Sequence, residues 1–315
     1  MTKYRKILVV ADPNQDKQPA LARAIQLVEK NKSPAVITFF LAIYDFSYEM
    51  TSMLSGDERD AMRKGVISQR EAWMNEISEQ YISDEINIEV KVVWHNRPYE
   101  ATVAEVFSSD QDILIKTTHQ NDTLEAVIFT PTDWHLLRKC PCPVLLVKQH
   151  DWPEHGNVIA SVHVGSENET HHELNHKMVE EAIAFSEILN ATPHLINAYP
   201  STPANITIEL PEFDPGTYTD AVRGHHLTAM KNLRQQYCIP SEQTHVVEGI
   251  TEDVISDVSK KLDAELVILG TTGRTGLSAV FIGNTAEHTI DKLNCDVLAL
   301  KPEGYVSPLD PRYEA

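Results

Sequence analysis

The stretch ELVILGTTGRTGLSAVFIGNT, Glu265 to Thr285, reads as a strand, a glycine turn and the start of a helix. ELVILG is a short apolar run of the kind a parallel sheet buries on both faces. Glycines at 270, 273, 276 and 283 follow, and a helix is expected from about Asn284. A strand feeding a glycine turn and then a helix belongs to an α/β fold. Backbone N–H groups that converge at such a turn can hold an anion, and glycine permits the close approach this takes.

Shifting the sequence by 153 residues lays this stretch on DILIKTTHQNDTLEAVIFTPT, Asp112 to Thr132, without a gap. The match carries Val93–Lys148 onto Val246–Lys301 and includes Asp110/Asp263, Ile115/Ile268, Thr118/Thr271, His135/His288, Cys142/Cys295 and Lys148/Lys301. The 315-residue chain is therefore a tandem of two diverged copies, expected over 1–150 and 156–303, with the polar KQHDWPEHGN between them.

Each copy alternates short apolar runs with helical patterns. The first offers KILVVA, AVITFFLAIY, INIEVKVVW, DILIKT and PVLLVK; the second offers NVIASVHV, PHLINAY, THVVEG, ELVILGT and DVLALK. Helical spacing marks PALARAIQLVEK and ELNHKMVEEAIAFSEIL, and longer helices are expected over roughly 56–81 and 219–237. This order predicts an α/β fold of two Rossmann-like domains, each a five-stranded parallel sheet with helices on both faces. Ligands in such sheets bind beyond the carboxyl ends of the strands, where strand order reverses.

The first copy has no glycine in its matching loop, since Thr117, Gln120 and Thr130 replace Gly270, Gly273 and Gly283. Thr130 suits a helix N-cap, Pro131 brings no N–H, and Asp133 sets a negative charge where a phosphate would sit. This copy is expected to reject ATP and to serve as scaffold or as a site for something uncharged.

The spacing G-2x-G-9x-G at Gly270, Gly273 and Gly283, followed by Asn284, resembles the nucleotide-binding motif of the universal stress protein family. The resemblance spans both copies. It implies a five-stranded α/β domain, pairing of domains through the last strand, ATP binding where the motif is kept, and a stress-response role. PVLLVK and DVLALK are thus expected at the shared edge of an internal pseudo-dimer. The family's nucleotide binders follow the last glycine with Ser or Thr, where this chain has Asn284 and then Thr285. They also place an aspartate after strand one. Asp12 fills that place in the first copy and His163 falls there in the second. The candidate ligand set is Gly270, Gly273, Arg274, Gly283, Asn284, Thr285 and His163, with ATP or another nucleotide as ligand.

The formal charge of −19 leaves no basic stripe for a phosphate backbone or an anionic bilayer, so nucleic acid and membrane are not expected partners. The longest apolar run, AVITFFLAIY, is half of what a membrane span needs, and MTKYRKILVVADP lacks a signal-peptide core, so a cytoplasmic protein is expected. Cys140, Cys142, Cys238 and Cys295 lack metal-ligand spacing and read as reduced and mostly packed.

His172-Glu173-Leu174-Asn175-His176 matches the H-E-x-x-H of zinc peptidases literally. It lies, however, on the ordinary first helix of the second copy, so a solvated helix face is the preferred reading and no metal ligand is assigned. No nucleophile–base set can be assembled from spacing, so no catalytic residue is assigned either; weak ATP hydrolysis stays open. The segments Tyr44–Leu54 and Tyr199–Phe213 leave the carboxyl edge and could fold over the cleft. The leading expectation is a binder of a nucleotide or nucleotide-like, phosphate-bearing metabolite in the second copy. The alternatives are a scaffold with vestigial sites, a binder of a lipid- or sugar-linked metabolite and, remotely, a zinc peptidase.

Overall fold

A computed structural model of the chain describes residues 4–47, 55–120, 127–128, 130–148, 152–166, 168–201, 214–271 and 284–313. Its contacts divide into two compact units, Met1–Gln149 with Val306–Ala315, and His150–Tyr305.

In the first unit the order is β1 (Lys6–Val10), α1 (Pro19–Asn31), β2 (Ala35–Ile43), α2 (Gly56–Glu79), β3 (Ile86–Trp94), α3 (Pro98–Ser109), β4 (Ile113–Thr117), α4 (Pro131–Lys139) and β5 (Val144–Val147). All five strands are parallel, in the spatial order β3-β2-β1-β4-β5. The second unit repeats this with β6 (Asn157–Ser161), α5 (Glu169–Leu189), β7 (Thr192–Tyr199), α6 (Pro215–Gln236), β8 (Thr244–Glu248), α7 (Thr251–Lys261), β9 (Ala264–Gly270), α8 (Asn284–Lys292) and β10 (Asp296–Leu300). Its order is β8-β7-β6-β9-β10. A short antiparallel pair, His119–Gln120 with Val127–Ile128, is added after β4.

Consecutive residues Ile7, Leu8 and Val9 of β1, and all of β5, are buried, because helices cover both faces of the sheet. Right-handed crossovers put α1 and α2 on one face and α3 and α4 on the other. The chain moves outward from β1 through β2 to β3, then returns to lay β4 on the opposite side of β1. Strand order therefore reverses between β1 and β4, and between β6 and β9, which opens a crevice at the carboxyl edge of each unit.

Local chemistry sets the element ends. Helices α1 and α5 close on Lys32 and Asn190 in the left-handed region, at φ 51° and 52°. Asp110 and Asp263, identical in the two copies, sit at φ 51° and 49° just before β4 and β9, a conformation that aspartate tolerates better than most residues. Thr118 and Thr271 each donate backbone N–H and hydroxyl to the carbonyl that ends the last strand, Val147 or Leu300.

Helices α5 and α6 each begin four residues earlier than the apolar periodicity predicts. Polar caps extend them: Asn168 Oδ1 accepts from Thr170 N at 2.9 Å, and Asp214 accepts from Gly216 N and Thr217 N at 3.1 and 3.3 Å. Strands β1, β2, β5, β6, β8, β9 and β10 end short of the expected runs, and β4 begins one residue late. The C-terminal segment rejoins the first unit, where the Ser307 hydroxyl donates to Lys139 O at 2.6 Å and Asp310 is buried. Cys140, Cys142 and Cys295 are buried and Cys238 is exposed, all as free thiols. Among the described residues no helix is long and apolar enough to cross a membrane.

At the amino edge of the second sheet, His194 and His245 stack with centroids 5.4 Å apart and share a hydrogen bond of 3.2 Å. Asn157 donates its amide to Leu262 O, so its Oδ1 accepts from His194 Nε2 at 3.0 Å. His194 Nδ1 is then an acceptor, and His245 Nε2–H donates to it. Burial holds both imidazoles below the ordinary histidine range, helped by the neighbouring ring for His194 and by Lys261 for His245. The unfolded chain takes up protons as pH falls through about 6.5, before the folded state does. Stability of the second unit is therefore expected to be fully present well above about pH 6.5 and to be lost as pH falls through that value toward the lower folded-state range. Urea denaturation followed by Trp152 fluorescence measures this, and His245→Gln should flatten the dependence.

Candidate functional site

The turn after the first strand is built alike in both units. In the first, Asp12 N donates to Gln18 Oε1 at 2.9 Å and Gln18 Nε2 donates to Asp12 O at 2.8 Å. In the second, His163 N donates to Asn175 Oδ1 at 2.8 Å and Asn175 Nδ2 donates to His163 O at 3.1 Å. One buried amide thus holds both backbone groups of the second residue beyond the strand, and His163 stands where Asp12 stands. The Asp12 carboxylate accepts from its own loop, from Asn14 N at 3.0 Å and Gln15 Nε2 at 2.6 Å.

His163 is exposed at the crevice, its ring 5.2 Å from that of His171. Partial burial, then the nearby His171 and His226, hold it below the ordinary histidine range, so at neutral pH it is an uncharged donor and acceptor. Behind it, Val164 N donates to Asn197 Oδ1 at 3.1 Å, and the Asn197 amide meets His226 Nδ1 at 2.9 Å. His226 stacks on Tyr199 and closes over Gly165, where a Cβ would lie 2.1 Å from its ring. Asn175, Asn197 and His226 are site-building residues the sequence did not single out. The available signal was polar residues inside otherwise apolar helix and strand faces.

Gly270 ends β9, and its backbone has a packing reason to be glycine. A Cβ there would lie 2.5 Å from Leu174 Cδ2, so the absent side chain lets α5 seat Leu174 against the strand. In the first unit the equivalent Thr117 instead accepts from Ala20 N in the first turn of α1 at 3.0 Å. The exchange of threonine for glycine thus goes with the longer amino end of α5. Gly273, Arg274 and Gly283 lie outside the described residues. Asn284 and Thr285 open α8, and their side chains also lie outside the described set.

The amino ends of α4 and α8 carry their first-turn acids at different positions, Asp133 in α4 and Glu287 in α8. Thr130 and Asp133 form a reciprocal capping box on α4, with Thr130 N donating to Asp133 Oδ2 at 2.7 Å. Asp133 is fully buried and its other oxygen pairs with Lys116 Nζ at 2.7 Å. Lys116 and Asp133 correspond to Leu269 and Ala286 in the second unit. Both members of the ion pair are therefore replaced together by apolar residues, Leu269 on β9 and Ala286 on α8.

The H-E-x-x-H segment lies on α5 with His172 and Glu173 exposed and Asn175 turned in to clamp His163. His176 Nδ1 meets Tyr237 OH at 2.7 Å, and Tyr237 also donates to Glu180. Burial and the Glu180 charge push the Tyr237 hydroxyl up to about 12, so it stays a donor. Among the described residues no three metal-ligating side chains converge. Of the segments after the second strands, Tyr44–Ser47 and Tyr199–Ser201 are described; the remainder of both expected lids lies outside the described residues.

Two copies of a five-stranded parallel α/β unit, each with strand order reversing between its first and fourth strands, define a tandem Rossmann-like α/β protein. Residues 3–148 and 170–301 each match the model of the "Universal stress protein family", and the chain belongs to that family. It is 56% identical over 311 residues to Universal stress protein E of Escherichia coli (strain K12), covering 98% of both chains. It is 46% identical over 303 residues to the Universal stress protein E homolog of Haemophilus influenzae, covering 95% of this chain and 98% of that one. A functionally unknown protein from Pseudomonas aeruginosa PAO1 shares the fold with a TM-score of 0.73 at 29% identity, covering 95% and 93% of the two chains. Family membership places the chain among stress-response proteins.

Two stability measurements follow. Lys116→Leu alone leaves a buried carboxylate unpaired and is expected to cost about 3 kcal/mol or more, whereas adding Asp133→Ala should recover part of that loss. Urea denaturation read by Trp73, Trp94 and Trp134 fluorescence reports the first unit, and a double variant weaker than the single one would refute the pairing argument. Gly270→Ala should destabilise the second unit by about 1–3 kcal/mol through overpacking against Leu174, and Leu174→Ala in the same chain should relieve part of it.

Proposed function

We propose that the chain binds a nucleotide or nucleotide-like, phosphate-bearing metabolite in the crevice of its second unit, and acts by binding rather than catalysis. The observation that carries this reading is the coordinated loss of the Lys116–Asp133 pair, replaced by Leu269 and Ala286. Helix α4 satisfies its amino end with its own acid. Helix α8 begins at Asn284 with Ala286 in the matching place and its first-turn acid one residue later at Glu287, so in this reading its first-turn N–H groups and the positive end of its dipole meet the anion. The glycine spacing through Gly273 and Gly283, with Arg274 between them, suits a phosphate at that terminus.

Gly270 acts in this reading by seating α5, not by touching phosphate. Neutral His163 takes the position held by Asp12 in the first unit, so ligand hydroxyls or ring nitrogens there meet an imidazole in place of a carboxylate. That difference favours a ligand other than one selected by an acid at the ribose, and leaves ATP as one candidate among nucleotides. The first unit, its helix terminus closed by Asp133, takes no phosphate.

Equilibrium binding of ATP, UTP, cAMP and UDP-linked compounds to the intact chain tests the proposal. One phosphate-bearing ligand should bind once per chain, and Gly283→Asp should weaken it by about tenfold or more. Installing the first unit's pair with Leu269→Lys and Ala286→Asp should also abolish binding, while Thr130→Gly should leave it unchanged. Absence of binding by every such compound to the wild-type chain would overturn the reading.

A further inference from the structure

The first unit carries a second kind of cleft, away from the position equivalent to the phosphate site. It has a volume of 950 Å³ and lies beyond the ends of β2 and β3, under the inner face of α2. Tyr44, Phe46, Trp73 and Trp94 supply its aromatic walls, and Asn14, Gln69 and Asn96 supply side-chain amides. A smaller cavity of 230 Å³ continues from it, sharing Pro13, Asn14, Ala42 and Pro98, toward Asp12, Lys116 and Thr130. The inner end of this continuous crevice is closed to anions by the Lys116–Asp133 pair and the α4 capping box.

The charges along the cleft balance. Asp45 is held ionised by the Ser47 hydroxyl and backbone N–H, at 2.6 and 2.8 Å. Arg70 lies over the Trp73 ring, 5.7 Å from its centroid, and Trp73 Nε1 donates to Asp16 at 3.2 Å. These contacts fix the indole rather than create a cationic floor. Arg70, among the described lining residues, is offset by Asp45, and Arg63 is drawn over the Trp94 ring, 5.7 Å from its centroid, so the cleft offers a strongly anionic ligand no net positive charge and the chain's overall negative charge opposes its approach.

The aromatic geometry narrows the ligand further. Tyr44 and Trp94 have centroids 6.0 Å apart with their planes at 60°, so they form a corner and not a parallel-walled slot for a flat heterocycle. Tyr44 is 38% exposed and Phe46 is 60% exposed, at the edge of β2. Large aromatic faces left open beside amides and a carboxylate match a puckered ring that has C–H groups on its faces and hydroxyls around its rim. The faces pack on the rings, while the amide and carboxylate groups bond pairs of neighbouring hydroxyls. We propose that the first unit binds an uncharged saccharide in the cleft formed by Tyr44, Phe46, Trp73, Trp94, Asn14 and Asn96. The volume lies near the upper end of the roughly 300–1,000 Å³ range of small-molecule sites, which admits more than one sugar ring.

The test uses the full chain and a panel of neutral disaccharides: maltose, cellobiose, lactose and trehalose. Saturation-transfer NMR and tryptophan fluorescence are read up to about 10 mM sugar, since weak affinity is expected of an open site. At least one disaccharide should bind, with transfer to its ring C–H protons. Tyr44→Ala and Asn96→Ala, each at the cleft and outside the core, should weaken it by about fivefold or more. Gly283→Asp should leave it unchanged, which separates this site from the phosphate site of the second unit. The proposal fails if none of the four sugars binds, if both cleft variants bind as the wild type does, or if free adenine binds the cleft in their place.

Discussion

A single buried amide in each unit fixes where the crevice begins. Gln18 and Asn175 each grip both backbone groups of the residue two places beyond the first strand, and so set the turn before the first helix can be placed. A parallel sheet buried on both faces has only its strand ends available for chemistry, and the reversal of order beside β1 and β6 concentrates that chemistry in one gap. With the turn locked, the identity of the gripped residue, Asp12 or His163, changes what faces the gap without changing its shape.

The two units have diverged by linked exchanges instead of scattered ones. Thr117 caps α1, whereas Gly270 makes room for Leu174 on a helix that begins earlier. Lys116 and Asp133 form a buried pair, whereas Leu269 and Ala286 are both apolar. Either change made singly would leave a cost, an overpacked strand end in one case and an unpaired buried charge in the other. Made together, each pair is self-consistent, and the result is one helix terminus capped by its own buried acid and another with alanine in that place.

The fold was legible because two copies of the same apolar alternation survive in one chain. Strand runs such as KILVVA and ELVILG are short, β-branched and bounded by turn residues, and the gapless shift fixed their correspondence. Element ends were less legible. The first turn of α5, ETHH, carries no apolar residue, so periodicity began at Glu173 while the cap at Asn168 placed the true start four residues earlier. The site was legible in part. Counting from the strand end placed His163 opposite Asp12, and the structure supports that placement through the amide clamps. Gly270 invited a phosphate explanation because its neighbour Leu174 is distant in sequence. Lys116 passed as part of an apolar strand because its partner Asp133 lies on another element. Asn175, the residue that holds His163, sat inside an apparent zinc motif whose literal match concealed its structural purpose.

The return of Val306–Ala315 to the first unit alters the order in which the molecule can be completed. Ser307, bonded to the carbonyl of Lys139 at the end of α4, leaves the ribosome only after the whole second unit has been made. The first unit therefore emerges without this contact, which forms only once the residues after the second unit have been made. In topological terms the second unit is an insertion within the first, and separating the copies at their linker would divide one of them.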